Sequence, residues 1–247
     1  MIVAIQSHFN GPIGLELCKQ IVEMKFGLFR ISIFNNTSHQ AAQEAMIECL
    51  DAGGDFLLTT NDEELIKKTS RIKVECDNEP DHRIPIKEYY DKFIRFYNIC
   101  KENNNQLYGP CISNTDQDSI DWLNEFMRMG VPDDVIISYH SYRPKNDVES
   151  HHRGFSSRDG EMKWLKAAAG HRKLAHTEGG YSLPDEHKQA EMIKYEMDFA
   201  ARHGITMWTY YQIWQATDDF GLMRNDRSFK EPLVEMFRNY TPCQSEN

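Results

Sequence analysis

The chain opens on MIVAIQSHFNGP, with no basic leader, and no stretch approaches the length of an apolar membrane span. The expectation is a cytoplasmic protein, or a secreted one if a leader has been removed. Positive charge is in deficit: 28 Lys and Arg stand against 38 Asp and Glu, a net charge of −10. A surface of that sign repels phosphate, which argues against nucleic acid and anionic membrane as partners and fits a neutral or cationic ligand. Zinc spacing is missing as well. The six cysteines (Cys18, Cys49, Cys76, Cys100, Cys111 and Cys243) form no CxxC pair and no Cys/His ladder. Most sit inside apolar patterns and read as small buried hydrophobes, which suits a reducing compartment. The segment after the first apolar run, SHFNGPIG, is neither GxGxxG nor a P-loop, so a phosphate-binding turn is absent there.

What is present is a repeated punctuation. Five amphipathic stretches end in Gly and run directly into apolar or β-branched residues: MKFGLFRISIF, DAGGDFLLTT, RMGVPDDVIISYH, AAAGHRKLAH and ARHGITMWTYY. Gly past a last helical turn closes a helix, and a short apolar run behind it suits a strand buried on both faces. Eight such runs start near Ile2, Leu28, Phe56, Ile72, Leu107, Val135, Lys173 and Ile205. Helical spacing lies between them. It joins Leu17, Ile21 and Met24; Ile86, Tyr90, Phe93, Tyr97 and Cys100; Ile120, Leu123 and Phe126 behind a cap at Asp118; and Ile193, Met197 and Ala200. A last helix spans about 231–240. Eight strands alternating with helices predict a single (β/α)₈ TIM barrel over residues 1–247, with an open doubly wound sheet as the alternative.

Such a barrel does its chemistry at the carboxyl ends of its strands. Those ends carry His8; Arg30 and Asn35; Asn61 and Asp62; Asn78 and Glu79; Asn114; His140 and Tyr142; His176 and Glu178; and Trp208, Tyr210, Gln212 and Trp214. Glu79 and Glu178 end strands four and seven, which face each other across the mouth. Two opposed carboxyl groups suit glycoside hydrolysis, one protonated to release the leaving oxygen and one ionised. Asn78 is placed to bond a sugar hydroxyl, Arg30 to keep Glu178 ionised, and Tyr142 or His140 to steady the same carboxylate. Trp208 or Trp214 offers a plate for a sugar ring. Glu75, Asp77 and Asp81 read as rim acids, paired with Lys73 or Arg71 and without a role. His176, two residues before Glu178, reads as sharing its strand face. Trp122 and Trp164 read as packing.

Several motifs resemble glycoside hydrolase clan A, the superfamily of cellulases, mannanases, xylosidases and iduronidases. DNEP resembles its Asn-Glu-Pro acid/base motif, AHTEGGYS its seventh-strand nucleophile segment and ISYHSY its sixth-strand His-x-Tyr. FRISIF puts Arg30 where many members carry an Arg, and TYYQIWQATDDFGLMRNDRSFKEP is similar to their eighth-strand end. The matches span strands two to eight. The resemblance implies a retaining mechanism with Glu79 as acid/base, Glu178 as nucleophile, an oligosaccharide or polysaccharide substrate, and no cofactor. Two other readings stay open. His8, His140 and His176 with Glu178 could hold a metal in a metal-dependent barrel hydrolase. The barrel could also bind carbohydrate without cleaving it.

Overall fold

A computed structural model describes residues 1–7, 13–34, 39–143, 147–214 and 219–241. Eight parallel strands close into a barrel in chain order. They are β1 (Ile2–Ser7), β2 (Leu28–Ile33), β3 (Asp55–Thr60), β4 (Lys73–Cys76), β5 (Gln106–Ile112), β6 (Ile136–His140), β7 (Leu174–Gly179) and β8 (Met207–Tyr210). β1 pairs with both β2 and β8, which completes the ring. The open doubly wound sheet is thereby excluded. Around the barrel run α1 (Leu15–Glu23), α2 (His39–Asp51), α3 (Glu63–Lys67), α4 (Ile86–Glu102), α5 (Gln117–Arg128), α6 (Arg158–Ala169), α7 (Glu186–Arg202) and α8 (Glu231–Asn239). No helix among the described residues is long and apolar enough to cross a membrane.

Side chains alternate across each strand, so the barrel has an inner and an outer set. The inner set begins with an apolar floor of Ala4, Leu28, Leu57, Tyr108, Ala175 and Met207. Two residues further along the strands the interior turns polar, with Gln6, Arg30, Thr59, Glu75, Thr177 and Thr209 all fully buried. The outer set packs under the helices in one continuous core. Ile120, Leu123 and Phe126 of α5 are fully buried, as their spacing predicts; burying each contributes about 1.5–3 kcal/mol. The helix is capped by Asp116, whose side chain accepts from the Ser119 N–H, and not by Asp118. On α4 the buried face is Tyr89, Phe93, Phe96 and Cys100, turned by one residue from the face read from the pattern, and Tyr90 and Tyr97 flank it. Trp122 stacks on Phe126 at 5.2 Å and so packs as expected, whereas Trp164 is exposed. The five described cysteines are buried and free; Cys243 lies outside the described residues.

The helix-to-strand punctuation works as local geometry requires. Gly130 and Gly204 take positive φ where their helices end. Before β2 it is Lys25, at φ 67°, that takes the left-handed turn, and Gly27 does not.

Candidate active site

β4 stops at Cys76, and the chain then bends sharply over the barrel mouth. Asp77 and Glu79 both adopt left-handed backbone, at φ 66° and φ 53°. That region disfavours residues with a Cβ, by roughly 1–2 kcal/mol each, and clusters at functional sites. The bend is held on both sides. The Asp77 N–H donates to the Thr60 carbonyl at 2.9 Å, and its carboxylate pairs with Lys92 at 2.5 Å. Asp81 accepts from the Ser113 N–H at 3.0 Å and the Ser119 hydroxyl at 2.9 Å. Neither acid meets Lys73 or Arg71 as expected; Lys73 pairs with Asp55. The 3₁₀ turn Pro80–His82 then leads toward α4, with Glu79 at its cap.

Arg30 is the hub beneath the mouth. Its Nη1 donates to Glu178 at 2.7 Å and to Gln6 at 2.6 Å. Its Nε and Nη2 donate to Glu75 at 2.8 and 2.6 Å, and Nη2 also to Asn78 at 2.9 Å. Glu178 accepts a second strong bond from the Tyr142 hydroxyl at 2.6 Å. His140 places Nδ1 3.0 Å from Glu79, while its Nε2 lies 2.9 Å from Cys111 and 3.7 Å from Glu178. Hence Tyr142 serves Glu178 and His140 serves Glu79. Ligand atoms of Glu79, His140 and Glu178 all lie within 4.8 Å of one another.

The charges interlock. Burial opposes ionisation of Arg30, but the Glu75 and Glu178 carboxylates outweigh it and keep the guanidinium charged. Burial likewise opposes the Glu75 charge, and Arg30 and His140 hold that carboxyl below its ordinary range. For His140, burial would lower the proton affinity; Cys111, the Glu178 charge and the bonds to Cys111 and Glu79 raise it well above the usual imidazole value. Burial, the Glu178 charge and the bond to it keep Tyr142 a neutral donor. The hydrogen bond from His140 draws the Glu79 carboxyl down against burial, with help from the His140 and Arg83 charges. The Glu178 charge pushes it the other way.

Three expected positions are corrected. Trp208 points outward under the helices, 1% exposed, and stacks on His176 at 5.7 Å and on Tyr210 at 6.3 Å. It cannot serve as a sugar plate. His176 also faces outward, and burial pushes its ring to about 3, so it stays neutral. It does not share a face with Glu178, because β7 carries one extra residue against β6: Tyr139 pairs with His176, and His140 with Glu178. This bulge turns Glu178 inward. The third is Glu75, which is a fully buried partner of Arg30 and of the Thr59 hydroxyl, at 2.9 Å, not a rim acid. Its signal was legible: it holds inward parity between apolar Val74 and Cys76. Trp214 is half-buried at the β8 end, with Arg227 over its ring at 5.0 Å.

The sequence reading also missed an aromatic group at the mouth. Tyr211 lies edge-on to Tyr142 at 5.8 Å, and Phe220 touches both, at 5.6 Å from Tyr142 and 5.7 Å from Tyr211. Among the other strand-end residues, Asp62 caps α3 and pairs with His39 at 2.7 Å, and Asn114 bonds the Thr115 N–H at 2.8 Å. His8 and Asn35 lie outside the described residues.

Among the described residues, two clusters could in outline ligate a metal: Glu75, Cys111 and His140; and Glu79, His140 and Glu178. Arg30 sits among both, bonded to Glu75 and Glu178 and 3.3 Å from His140 Nε2. A fixed guanidinium charge at that distance repels a cation. The residues present do not fit a metal ion.

Glu75→Ala would strip Arg30 of its largest buried counter-charge. Breaking a buried pair from one side costs about 3–5 kcal/mol. Urea unfolding should show that loss; a variant as stable as the parent would mean the pair does not hold the barrel centre together.

No protein family and no curated protein sequence matches the chain. Solved structures do. Thermotoga maritima Cel5A in complex with cellobiose aligns over 95% of this chain and 95% of its own, at 14% identity and TM-score 0.68. A family 5 xyloglucanase from Paenibacillus pabuli aligns over 96% and 97%, at 13% identity and TM-score 0.64. An exo-β-1,3-glucanase of glycoside hydrolase family 128 from Aureobasidium namibiae aligns over 96% of each chain, at 14% identity and TM-score 0.69. The barrel fold is thus shared with these solved structures along nearly its whole length.

Proposed function

We propose that the chain is a retaining glycoside hydrolase acting on a β-linked oligosaccharide or polysaccharide. The observation that carries this reading is the proximity of Glu79 and Glu178, whose oxygens approach within 4.8 Å. Retaining enzymes hold their two carboxyl groups about 5–5.5 Å apart, and inverting ones about 6.5–9.5 Å, to admit a water between them. Structural neighbours crystallised with cellobiose and with cellotriose make a β-glucan the first substrate to try.

The roles follow from the surroundings. Glu178 is the nucleophile: Arg30 and Tyr142 each donate to it, which fixes its direction and favours the charged form. Glu79, the more exposed of the two, donates a proton to the departing oxygen. It then accepts one from the water that cleaves the glycosyl ester. Forming that ester removes the Glu178 charge, one of the influences that raise the Glu79 proton affinity. Glu79 therefore becomes a stronger acid and stays ionised as the base for the second half. Asn78 and His140 keep Arg30 and Glu79 in register. Tyr211 and Phe220 beside Tyr142, with Trp214 further along, supply apolar faces for the C–H side of a sugar. Every group these steps need is a side chain or water, so the reaction calls for no cofactor.

Proton NMR of the first product tests the reading. Incubation with a soluble β-1,4-glucan should release the β-anomer first, before mutarotation. Initial release of the α-anomer would show inversion and remove Glu178 as nucleophile.

A further inference from the structure

Behind the end of β6 lies a buried ionic cluster that the reaction above does not touch. Its centre is Glu161, in the first turn of α6 and 3% exposed. Oε1 accepts from Arg143 Nη2 at 3.0 Å and from the Thr115 hydroxyl, and lies 3.0 Å from His152 Nδ1. Oε2 accepts from Arg143 Nη1 at 3.2 Å and from the backbone N–H of His152 at 3.1 Å. Burial opposes its charge, but His152 and Arg143 hold the carboxyl at about 2, so it is ionised at any ordinary assay pH.

The far side of this cluster reaches the active site at Tyr142. His152 Nε2 bonds the Tyr142 carbonyl at 3.0 Å. A carbonyl oxygen only accepts, so the ring nitrogen is the donor there. Arg143, next in sequence, donates to the hydroxyl of Ser141 on the other side of Tyr142. The main chain of Tyr142 is thereby fixed from both neighbours and at its own carbonyl. Its side chain then sets a hydroxyl 2.6 Å from Glu178. Burying a carboxylate costs several kcal/mol before its partners offset it. A well-packed apolar residue would hold a loop more cheaply, but it would not hold this carbonyl.

Resting on the assignment of Glu178 as nucleophile, we infer that Glu161 and His152 are positioning residues. They act through the Tyr142 main chain to land its hydroxyl on Glu178. Neither reaches the substrate.

A double-mutant cycle separates this from a merely structural role. Turnover of an aryl β-glucoside and the melting temperature are measured for Tyr142→Phe, Glu161→Gln and the two together. A bond to a charged group carries about 10- to 100-fold in rate. Tyr142→Phe should therefore lower kcat by about 30-fold and Glu161→Gln by about 10-fold. The pair should fall within about 2-fold of Tyr142→Phe alone, since both act on one contact. His152→Ala leaves the Arg143–Glu161 pair intact and carries the same test if Glu161→Gln does not fold. If Glu161→Gln or His152→Ala lowers kcat by the same factor with and without Tyr142, the route through Tyr142 is wrong. Lost melting temperature with full turnover overturns it as well. Unchanged turnover in Tyr142→Phe would overturn this inference alone, whereas near-parental turnover in Glu178→Gln would bring down the assignment it rests on.

Discussion

Glu178→Gln should abolish turnover, by about 10⁴-fold or more, on an activated aryl glycoside and on an oligosaccharide alike. An amide of the same size keeps the shape of the site but cannot form the glycosyl ester, and loss of a nucleophile is not made up by the rest of a catalytic set. The barrel should survive. Arg30 keeps its bonds to Glu75, so its charge remains paired at the barrel centre. Circular dichroism should show a folded protein with lost activity. A folded variant that still turns over an activated substrate at near the parental rate would sink the assignment.

Glu79→Ala should behave differently with different leaving groups. A phenolate of low basicity departs without a proton, so the first step is little affected and the ester accumulates. An ordinary sugar leaving group needs the proton, and turnover should fall about 10²- to 10⁴-fold. Added azide attacks the ester without a general base, so it should speed the variant on the activated substrate and yield a β-glycosyl azide. Equal losses on both substrates, with no response to azide, would remove Glu79 from the acid/base role. The pH dependence of the parent carries the same signature. His140 and Arg83 hold the Glu79 carboxyl below its ordinary range, and only its protonated form donates. As pH rises above that value, kcat/KM on an unactivated glycoside should fall about tenfold per unit, placing the optimum on the acid side. Arg83→Ala removes one of the lowering charges and should move this limb to higher pH. Arg83 is exposed, so the displacement should be only a few tenths of a unit.

Much of this site could be read before any coordinates. The Gly-ended helices and short apolar runs located all eight strands to within a residue or two, and the strand ends brought out Arg30, Asn78, Glu79, His140, Tyr142 and Glu178. These now meet around one guanidinium. The failures have separate causes. Alternation alone puts Trp208 and His176 on the working face, and both point outward. Charge inside a strand reads as surface, yet Glu75 is the buried counter-charge that holds Arg30. Tyr211 went unmarked because the strand ends one residue before it, where alternation stops applying.

The order of the elements and the chemistry available at each strand end are properties of the sequence, because apolar periodicity and helix termination are local. The direction each strand-end side chain takes is not local. An alternating pattern has two phases, and the extra residue in β7 changes phase between His176 and Glu178. Such a bulge is defined only against the neighbouring strand, so closure of the barrel decided which residues became the site and which became the packing behind it.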